Sequence, residues 1–381
     1  MAPPVPPVSL RQCFADLPDP RREHNRLHNL WDIIALTICA VIAGADAWTE
    51  VEEYGRLKQD FLATFLELPA GIPSHDTIGR VFARLDPAAF QQSFQAWVAA
   101  LVEATDGRVI AIDGKTLRHS FDTAGGKGPL HLISAWATAN HLTLGQRAVA
   151  DKSNEITAIP ELLRLLDLHG AIVTIDAMGC QKDIAARIAA GGGRYVLSLK
   201  ENHETLHADV QQLFRDGLES DFRGLSHHAH TTHDRGHGRR ETRRYHILPA
   251  PAALLERHPG WAGLKTVGMV FSERQVGDAE PTGETRFFIS SLPPKVKTFA
   301  RAVRSHWRVE NSLHWVLDVS FREDDSRLRK DHGPENLALL RRLAVSLLKQ
   351  DTTVKRGLAT KRKRAGWDDD YLLHVLRTSL A

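Results

Sequence analysis

Two short apolar runs in this sequence each end in an aspartate. VIAID (109–113) is followed by glycine, and AIVTID (171–176) is followed by Ala-Met-Gly. A central strand is buried on both faces, so its first polar residue emerges at the rim of the sheet. If the two strands are neighbours, Asp113 and Asp176 converge there. Adjacent carboxylates repel each other unless a cation neutralises them, and hard oxygen ligands suit Mg²⁺.

A structural alternative exists for each aspartate, because Asp at the end of a strand is commonly a turn residue. The repetition of the pattern within one α/β stretch favours a catalytic role over two unrelated turns.

A third carboxylate, Glu310, lies within a long helical pattern from Val296 to Phe321. His306 and His314 are four residues to either side, so a continuous helix places all three on one half-buried face. An unpaired glutamate there is costly. Three interpretations stay open: a metal-binding glutamate, a structural His–Glu ladder, and a zinc site that uses Glu310 with both histidines. The spacing is not that of the usual HExxH zinc motif.

The elements that must position these residues follow from hydrophobic periodicity. From about residue 30 to residue 104, apolar residues recur at the three-to-four spacing of helices, which predicts an all-α N-terminal domain over 1–105. Ser74 or Asp76 is expected to cap its third helix. That helix carries Arg80 and Arg84, and it belongs either to a helix-turn-helix or to an ordinary helical hairpin.

The pattern changes to α/β after residue 105. Strands are expected at 109–113, 131–140, 142–150, 171–176 and 194–199, with helices between the later ones. A β-rich insertion without helices is expected at about 224–293. The predicted α/β catalytic domain therefore covers 106–350, and a basic tail with the KRKR run at 361–364 covers 351–381. Such tails bind phosphate backbones or are simply solvated ends.

Composition excludes several classes of protein. The 381 residues are 43% hydrophobic and 25% charged, with 49 Lys+Arg against 46 Asp+Glu, which argues against collagen, a coiled coil and wholesale disorder. Three scattered cysteines predict neither disulfides nor a zinc motif. The N-terminus lacks the charged and apolar regions of a signal peptide. The most apolar run, Ile33 to Ala43, is shorter than the roughly 20 residues of a membrane span and predicts a core helix.

Longer blocks around the three acids carry a resemblance. VIAIDGKTLRHS, IVTIDAMGCQKDIA and RSHWRVENSLHWVLDVSFREDDSR resemble the acidic blocks of bacterial insertion-sequence DDE transposases, in the branch that includes the H-repeat proteins of Rhs elements. YVLSLKENHETL, HGRRETRRY and ENLALLRRLAVSLLK are similar to that branch as well. The N-terminal FADLPDPRREHNRLHNLWDIIALTICAVIAGADAWTEVEEYG resembles its associated helical domain, so the region 1–105 is also a candidate for binding DNA. The resemblance covers about Phe14 to Leu348.

The resemblance implies an RNase H-like mixed-sheet catalytic core with a β-rich insertion. It also implies nicking of DNA at an element end, followed by attack of the freed 3′-hydroxyl on target DNA. Two Mg²⁺ ions, or Mn²⁺ in their place, would support both displacements. Asp113 would bridge the ions, and Asp176 and Glu310 would each hold one. The wider superfamily carries Tyr, Arg and Lys around its glutamate, but Val303, His306 and Leu317 stand at those positions here.

Basic and polar residues near these blocks are candidates for binding DNA. They are Lys115 after the first aspartate, Lys200 and Asn202 after the fifth strand, His237, Arg239, Arg240, Arg243 and Arg244 in the insertion, and Arg304 and Arg308 before the glutamate. In a strand, Arg239 and Arg243 share one face with Glu241, and Arg240 shares the other with Arg244. A charged, solvent-facing hairpin is the alternative. His306 and His314 are expected to support Glu310.

The expected partner is double-stranded DNA, bound by a homodimer in the bacterial cytoplasm at the nucleoid, without a membrane. Two other functions stay open: an RNase H-like nuclease that cuts without strand transfer, and an inactive DNA-binding relic. The intact Asp113, Asp176 and Glu310 argue against a relic.

Overall fold

The computed structural model describes residues 9–101, 109–121, 126, 128–149, 155–236 and 238–380. Contacts divide the chain into two compact units. One unit contains the described residues of the ranges 1–105, 114–154 and 309–381. The other unit contains the described residues of the ranges 106–113 and 155–308. We call them the helical unit and the sheet unit. The domain boundaries predicted at 105 and 350 stay predictions.

The helices and strands follow one another in mixed order along the chain. The first half contains α1 (Leu10–Cys13), α2 (Leu30–Ala43), α3 (Trp48–Leu57), α4 (Gln59–Leu62), α5 (His75–Arg84), α6 (Pro87–Leu101), β1 (Val109–Thr116), β2 (His131–Ala137), β3 (Leu142–Val149), α7 (Glu155–Arg164), β4 (Ile172–Ile175), α8 (Lys182–Ala190) and β5 (Arg194–Leu199). The second half contains α9 (Glu204–Glu219), β6 (His228–Gly236), β7 (Arg239–Pro249), α10 (Ala252–Arg257), β8 (Thr266–Val276), β9 (Thr282–Ser290), α11 (Val296–His306), α12 (Trp315–Phe321), α13 (Gly333–Gln350), α14 (Leu358–Trp367) and α15 (Asp369–Leu380).

The helical unit is built around α2. Residues 32–42 of this helix are buried without interruption, as expected of a core helix. Asp32 is tolerated there because its carboxylate accepts the backbone N–H of Leu68 at 2.9 Å. Ser74 caps α5, as the sequence predicts, by accepting the N–H of Thr77. Strands β2 and β3 pair antiparallel, and α13 packs beside them through Ser346, which accepts the N–H of Thr143.

The C-terminal segment of this unit is helical. Arg362 on α14 is buried and donates to the carbonyls of Val41 and Ala45, at 3.0 and 3.1 Å, and to the carboxylate of Asp46 at 2.7 Å. Lys361 is also buried, whereas the remaining two residues of the KRKR run are exposed. Arg362 therefore fastens the chain end to α2, whereas Lys361 donates to the carbonyls of Leu348 and Asp351 at the end of α13.

The sheet unit contains a mixed sheet with strand order β1-β4-β5-β9-β8-β7-β6. Strands β1, β4 and β5 are parallel, and β5 to β6 are antiparallel. Apolar side chains of α11, including Phe299 and Val303, pack against this sheet over Tyr245, Val270 and Phe288. The predicted mixed α/β class is confirmed, whereas the RNase H-like assignment stays a prediction.

Two expectations about these elements are wrong. The insertion at 224–293 contains a short helix, α10, which is too brief to show a periodic pattern. The long helix predicted from Val296 to Phe321 is not regular. It turns at Trp307 and passes through a π-helical turn at Glu310–His314 before α12 begins. Single π turns are rare and often occur at functional sites.

No single helix among the described residues is long and apolar enough to cross a membrane. The pair α2 and α3, bent by 94°, meets the same criterion by length and composition alone.

Candidate active site

Asp113 and Asp176 occupy equivalent positions on neighbouring parallel strands. The register of β1 and β4 pairs Ile112 with Ile175, and the two aspartates follow directly. Adjacent strands lie about 4.8 Å apart, so both half-buried carboxyl groups leave the sheet side by side. One detail differs from expectation, since β1 continues to Thr116 and Asp113 therefore lies inside a strand and not at its end.

The carboxylate of Asp176 is held by the turn that follows it. Its Oδ1 accepts the backbone N–H groups of Met178 and Gly179, at 3.2 and 3.4 Å. A Cβ at Gly179 would lie only 2.3 Å from the Cγ2 of Ile175, so the turn needs glycine there. The backbone thus fixes where this carboxylate points.

Lys200 and Asn202 follow β5, the strand next to β4. Asn202 donates its side-chain amide to the carbonyl of Ala177 at 2.8 Å, and so it fastens the turn beside Asp176. Lys200 is exposed and lines a cavity next to the same aspartate. Asn202 therefore positions the loop, and its contact with DNA stays a prediction together with that of Lys200.

That cavity of about 120 Å³ opens between β4, β5 and α11. Nδ1 of His306 is hydrogen-bonded to Oγ1 of Thr174 at 3.2 Å, which joins α11 to the strand that carries Asp176. The guanidinium of Arg286 lies 4.1 Å from the ring centre of Trp307, whose side chain is 43% exposed. The cavity thus combines an acid, a lysine and an aromatic face.

Glu310 opens the π-helical turn in the helical unit. Its side chain is 65% exposed, so the expectation of a half-buried glutamate is wrong. The expectation assumed one regular α-helix, whereas the chain turns at Trp307 and enters a π turn at Glu310. The carboxylate lies 3.6 Å from Nδ1 of His314. Hydrogen bonding to His314, and the charge of Lys115, lower the pKa of Glu310 against the opposing effect of burial.

The two histidines predicted to support Glu310 have different partners. His314, on the same π turn, is buried and pairs with Glu310. His306 is hydrogen-bonded to Thr174 in the sheet unit. His314 keeps the predicted supporting contact, and the supporting role of His306 toward Glu310 stays a prediction.

Lys115 is buried in an acidic pocket of the helical unit. Its ammonium lies 2.7 Å from carboxylates of both Asp318 and Asp324, and 3.7 Å from Glu323. Burial lowers the pKa of Lys115, but these carboxylates outweigh it and the net shift is upward. A DNA phosphate would have to compete with three carboxylates for this ammonium.

The same acidic turn contains a buried ion pair that sequence reasoning missed. Glu323 and Arg342 are both fully buried and 2.9 Å apart. The Arg342 guanidinium lowers the pKa of Glu323 against the strong opposing effect of burial. Arg342 lies in the block ENLALLRRLAVSLLK. Two arginines inside an otherwise apolar helix are the sequence feature that could have indicated a buried ion pair.

The arginines of the β6–β7 hairpin fall into two groups. Arg239 and Arg240 are exposed near its tip. Arg243 is 11% exposed and forms ion pairs with Asp234 and Glu241. The guanidinium of Arg243 is thus already occupied by carboxylates, whereas those of Arg239 and Arg240 face solvent. His237 lies outside the described residues.

Three further arginines are predicted to bind DNA, namely Arg244 in the same hairpin and Arg304 and Arg308 near Glu310. Arg244 stacks over Phe271 at 5.5 Å from the ring centre. Arg304 is 3.0 Å from Asp234. Arg308 is exposed and forms no ion pair with any residue that the structure describes.

Three rings stack at the base of the hairpin. Phe222 and His227 lie face to face, with ring centres 3.6 Å apart, and His246 follows 5.2 Å from His227. The two imidazoles share a hydrogen bond of 2.9 Å between Nε2 of His227 and Nδ1 of His246. Burial lowers the pKa of both histidines. The charge of His228 lowers the pKa of His227 further, and the charges of His227 and Arg244 lower that of His246.

Comparison with known proteins places this chain in a family. The model of the transposase DDE domain matches residues 104–347, and the model of the DDE_Tnp_1-associated domain matches residues 11–98. The "H repeat-associated putative transposase YhhI" of Escherichia coli K12 is 40% identical over 97% of this chain and 98% of its own length. The "Putative transposase YncI" of Escherichia coli O157:H7 is 41% identical over 97% of this chain and 94% of its own.

A solved structure of a piggyBac transposase synaptic complex with hairpin DNA aligns with 94% of this chain and 75% of that chain. Its TM-score of 0.40 at 10% identity is too low to support an argument. The family models and the full-length relatives carry the assignment by themselves. The chain therefore belongs to the DDE transposase family, in the group of the H repeat-associated proteins.

Proposed function

We propose that this protein nicks the ends of its insertion sequence and transfers the freed 3′-hydroxyl ends to target DNA. The observation that carries the proposal is the shared register of Asp113 and Asp176 on parallel strands, within a chain of the transposase family. Two carboxylates at one edge of a sheet, with a third from a separate segment, are what metal-assisted phosphoryl transfer requires.

Asp113, Asp176 and Glu310 would hold the metal ions. The donor set fits Mg²⁺, or Mn²⁺ in its place, because carboxylate oxygens are hard ligands, and no thiol belongs to the set. When bound, the ions would activate the attacking hydroxyl and stabilise the leaving oxygen. We assign Asp113 to both ions and Asp176 and Glu310 to one each.

The chain's own groups prepare this arrangement. Backbone N–H groups of Met178 and Gly179 orient the Asp176 carboxylate before any ligand arrives. The lowered pKa of Glu310 keeps its carboxylate ionised, which is the form that binds a cation. Lys200 beside the cavity, and Arg239 and Arg240 on the hairpin, would contact DNA phosphates, which positions the strand without reading its sequence.

The proposed partner is double-stranded DNA, at the element ends and at the target, bound by a homodimer. The proposed location is the bacterial cytoplasm at the nucleoid. A nuclease that cuts without joining is the alternative, and only a joining assay separates the two. A catalytically inactive relic is a third reading. A relative named "Inactive transposase YbfQ" is 46% identical over 20% of this chain, but the three acids are intact here.

The test is cleavage and joining of the DNA that flanks the coding sequence, by purified protein, with Mg²⁺ or with chelator. Asp113→Asn and Asp176→Asn are expected to reduce both steps roughly a thousandfold, because metal ions contribute several kcal/mol to such reactions. Asp278→Asn, which removes an exposed carboxylate elsewhere in the sheet unit, is the matched control and should leave both steps unchanged.

The zinc alternative predicts a different order of effects. Under that alternative, His306→Gln and His314→Gln would be the most damaging changes and Mg²⁺ would be dispensable. Under the proposal, the histidine variants lose activity only in part. Full activity in Asp113→Asn, or activity that survives Mg²⁺ removal, contradicts the proposal. Nicking without joining by the wild type selects the nuclease.

A further inference from the structure

A groove on the helical unit is lined by cationic side chains, and none of the residues assigned to catalysis is among its described lining residues. The segment 20–27 and helix α5 enclose about 620 Å³, with Arg21, Arg22, His24, Asn25, Arg80 and Arg84 among the lining residues. None of the described residues that line this space carries a carboxylate. We call it the α5 groove.

Two of the arginines come from α5 itself. Arg80 and Arg84 are exposed and one helical turn apart, so they face the groove together. Like charges at this spacing destabilise a helix by a few tenths of a kcal/mol. Neither forms an ion pair with any carboxylate among the described residues, and Arg80 donates only to the hydroxyl of Thr77. An anion bound from outside the protein would offset the repulsion between Arg80 and Arg84.

Arg21 supplies an independent observation. Its Nε and Nη2 donate to the carboxylate of Asp19, at 2.9 and 2.8 Å, and Nη2 also donates to the carbonyl of His28 at 2.8 Å. The side chain is only 9% exposed. Its remaining nitrogen, Nη1, is buried and has no hydrogen-bond partner among the described residues. A buried donor left unsatisfied costs about 1–3 kcal/mol, so this fixed guanidinium is prepared for an acceptor.

The two sets of donors differ in exposure, which bears on the ligand. Arg21 is held by three hydrogen bonds, whereas Arg22, Arg80 and Arg84 are exposed. A fixed donor flanked by exposed cations suits an anion with several oxygens that repeats along a chain. A backbone of phosphates has this character, and arginine binds phosphate oxygens through its planar fork.

We propose that the α5 groove binds the phosphate backbone of duplex DNA and forms a contact separate from the catalytic carboxylates. The choice of DNA as the source of the phosphates rests on the proposed function. Contacts to phosphate oxygens fix the position of a duplex without reading its sequence, so the effect expected of the groove is on the affinity for DNA and on its salt dependence.

The test compares the double variant Arg80→Gln/Arg84→Gln with the wild type in binding to a short duplex of arbitrary sequence, over a series of salt concentrations. Each lost phosphate contact lowers the slope of log affinity against log salt by about 0.9, and the two together weaken binding about tenfold or more. The matched control is Lys355→Gln/Arg356→Gln, which removes two exposed cations from the same unit. It is expected to change affinity less than twofold.

All four substituted residues are exposed, so the variants should fold, and circular dichroism with a urea midpoint verifies this. A second variant, Arg22→Gln, should give about half of the change in slope. Equal losses in the groove and control variants, or an unchanged slope in Arg80→Gln/Arg84→Gln, overturn the inference. Stronger competition by a polyglutamate peptide than by an equal charge of DNA also overturns it and assigns the groove to an acidic protein segment.

The proposed function fails separately. If the protein shows no Asp113-dependent cleavage but the groove variant binds DNA more weakly, the proposed function is contradicted and the groove inference is supported. If cleavage depends on Asp113 but the groove variant binds DNA like the wild type, the proposed function is supported and the groove inference is contradicted.

Discussion

Asp113 and Asp176 show what the sequence predicts well at the level of single residues. An apolar run that ends in an acid predicts both a buried strand and the point where that strand reaches the rim of the sheet. Parallel pairing of two such strands then brings their acids side by side. Lys115 shows the opposite case. It follows Asp113 closely, which favoured a phosphate contact, but its partner Asp324 is 209 positions further along the chain. No local pattern reports an ion pair of that separation.

Glu310 falls between these cases. Its position among histidines was visible, and the pairing with His314 follows from a spacing of four. Its exposure was not predictable, because periodicity assumes one helical pitch throughout and a π turn changes that pitch locally.

The stacked histidines lead to a prediction about pH. Because the pKa values of His227 and His246 are lowered in the folded protein, the unfolded chain takes up protons first as the pH falls. The free energy of unfolding should therefore decrease as the pH falls through about 6.5, the unfolded value, toward the folded ones. Urea midpoints measured between pH 8 and pH 5 should show this decrease.

The variant His227→Gln removes one titrating ring and should flatten that part of the curve. The exposed His169, which belongs to the same unit and takes no part in the stack, provides the control, since His169→Gln should change the curve much less. Identical curves for the wild type and His227→Gln would remove the stack as its cause.

At the level of elements, the β6–β7 hairpin gives different environments to arginines that look equivalent in its sequence. Alternation in a strand predicts that Arg239 and Arg243 share a face. Only the register reveals that Thr232 faces Arg243 and that Asp234 faces Glu241, close enough for the Arg243–Asp234 ion pair. The hairpin therefore uses Arg243 internally and presents Arg239 and Arg240 outward.

This division predicts different outcomes for two hairpin variants. Arg239→Gln/Arg240→Gln should lower the salt slope of duplex binding by about 1.8 while leaving stability nearly unchanged, because two phosphate contacts are lost. Arg243→Gln should instead lower the urea midpoint, with a smaller effect on the salt slope. Parallel salt titrations and urea unfolding of the two proteins measure both effects. Equal slopes in the wild type and Arg239→Gln/Arg240→Gln would make the hairpin a solvated face.

At the level of the whole molecule, the sequence predicts the sequential layout better than the grouping in space. The order of helical region, α/β region and β-rich insertion is visible as changes of pattern along the chain. The helical unit, however, is assembled from three separate segments. The sequence predicts a basic tail at 351–381, because the KRKR run carries no sign of which of its residues are buried. Arg362 is buried against α2, where the carbonyl of Val41 accepts its hydrogen bond from more than 300 positions away along the chain.

Arg362 gives the prediction at this scale. Arg362→Gln leaves the carbonyls of Val41 and Ala45 and the carboxylate of Asp46 without their donor, so it should lower the free energy of unfolding by roughly 3–5 kcal/mol. Lys363→Gln, next to it but exposed, should change it by less than about 0.5 kcal/mol. Urea unfolding of the two variants gives the comparison. Equal stability of both would show that α14 is not fastened through Arg362.

The return of the chain end to α2 has a consequence for defective copies of the gene. Ribosomes complete α2 early, but α13 and α14, which cover it, emerge about 290 residues or more after it. A copy cut short by a stop codon or a frameshift before Gly333 would leave the apolar helix α2 uncovered, and proteases would remove the product. Such copies could not accumulate as truncated competitors that occupy element ends. Selection against harmful fragments would then be unnecessary, and broken copies could persist silently in a genome.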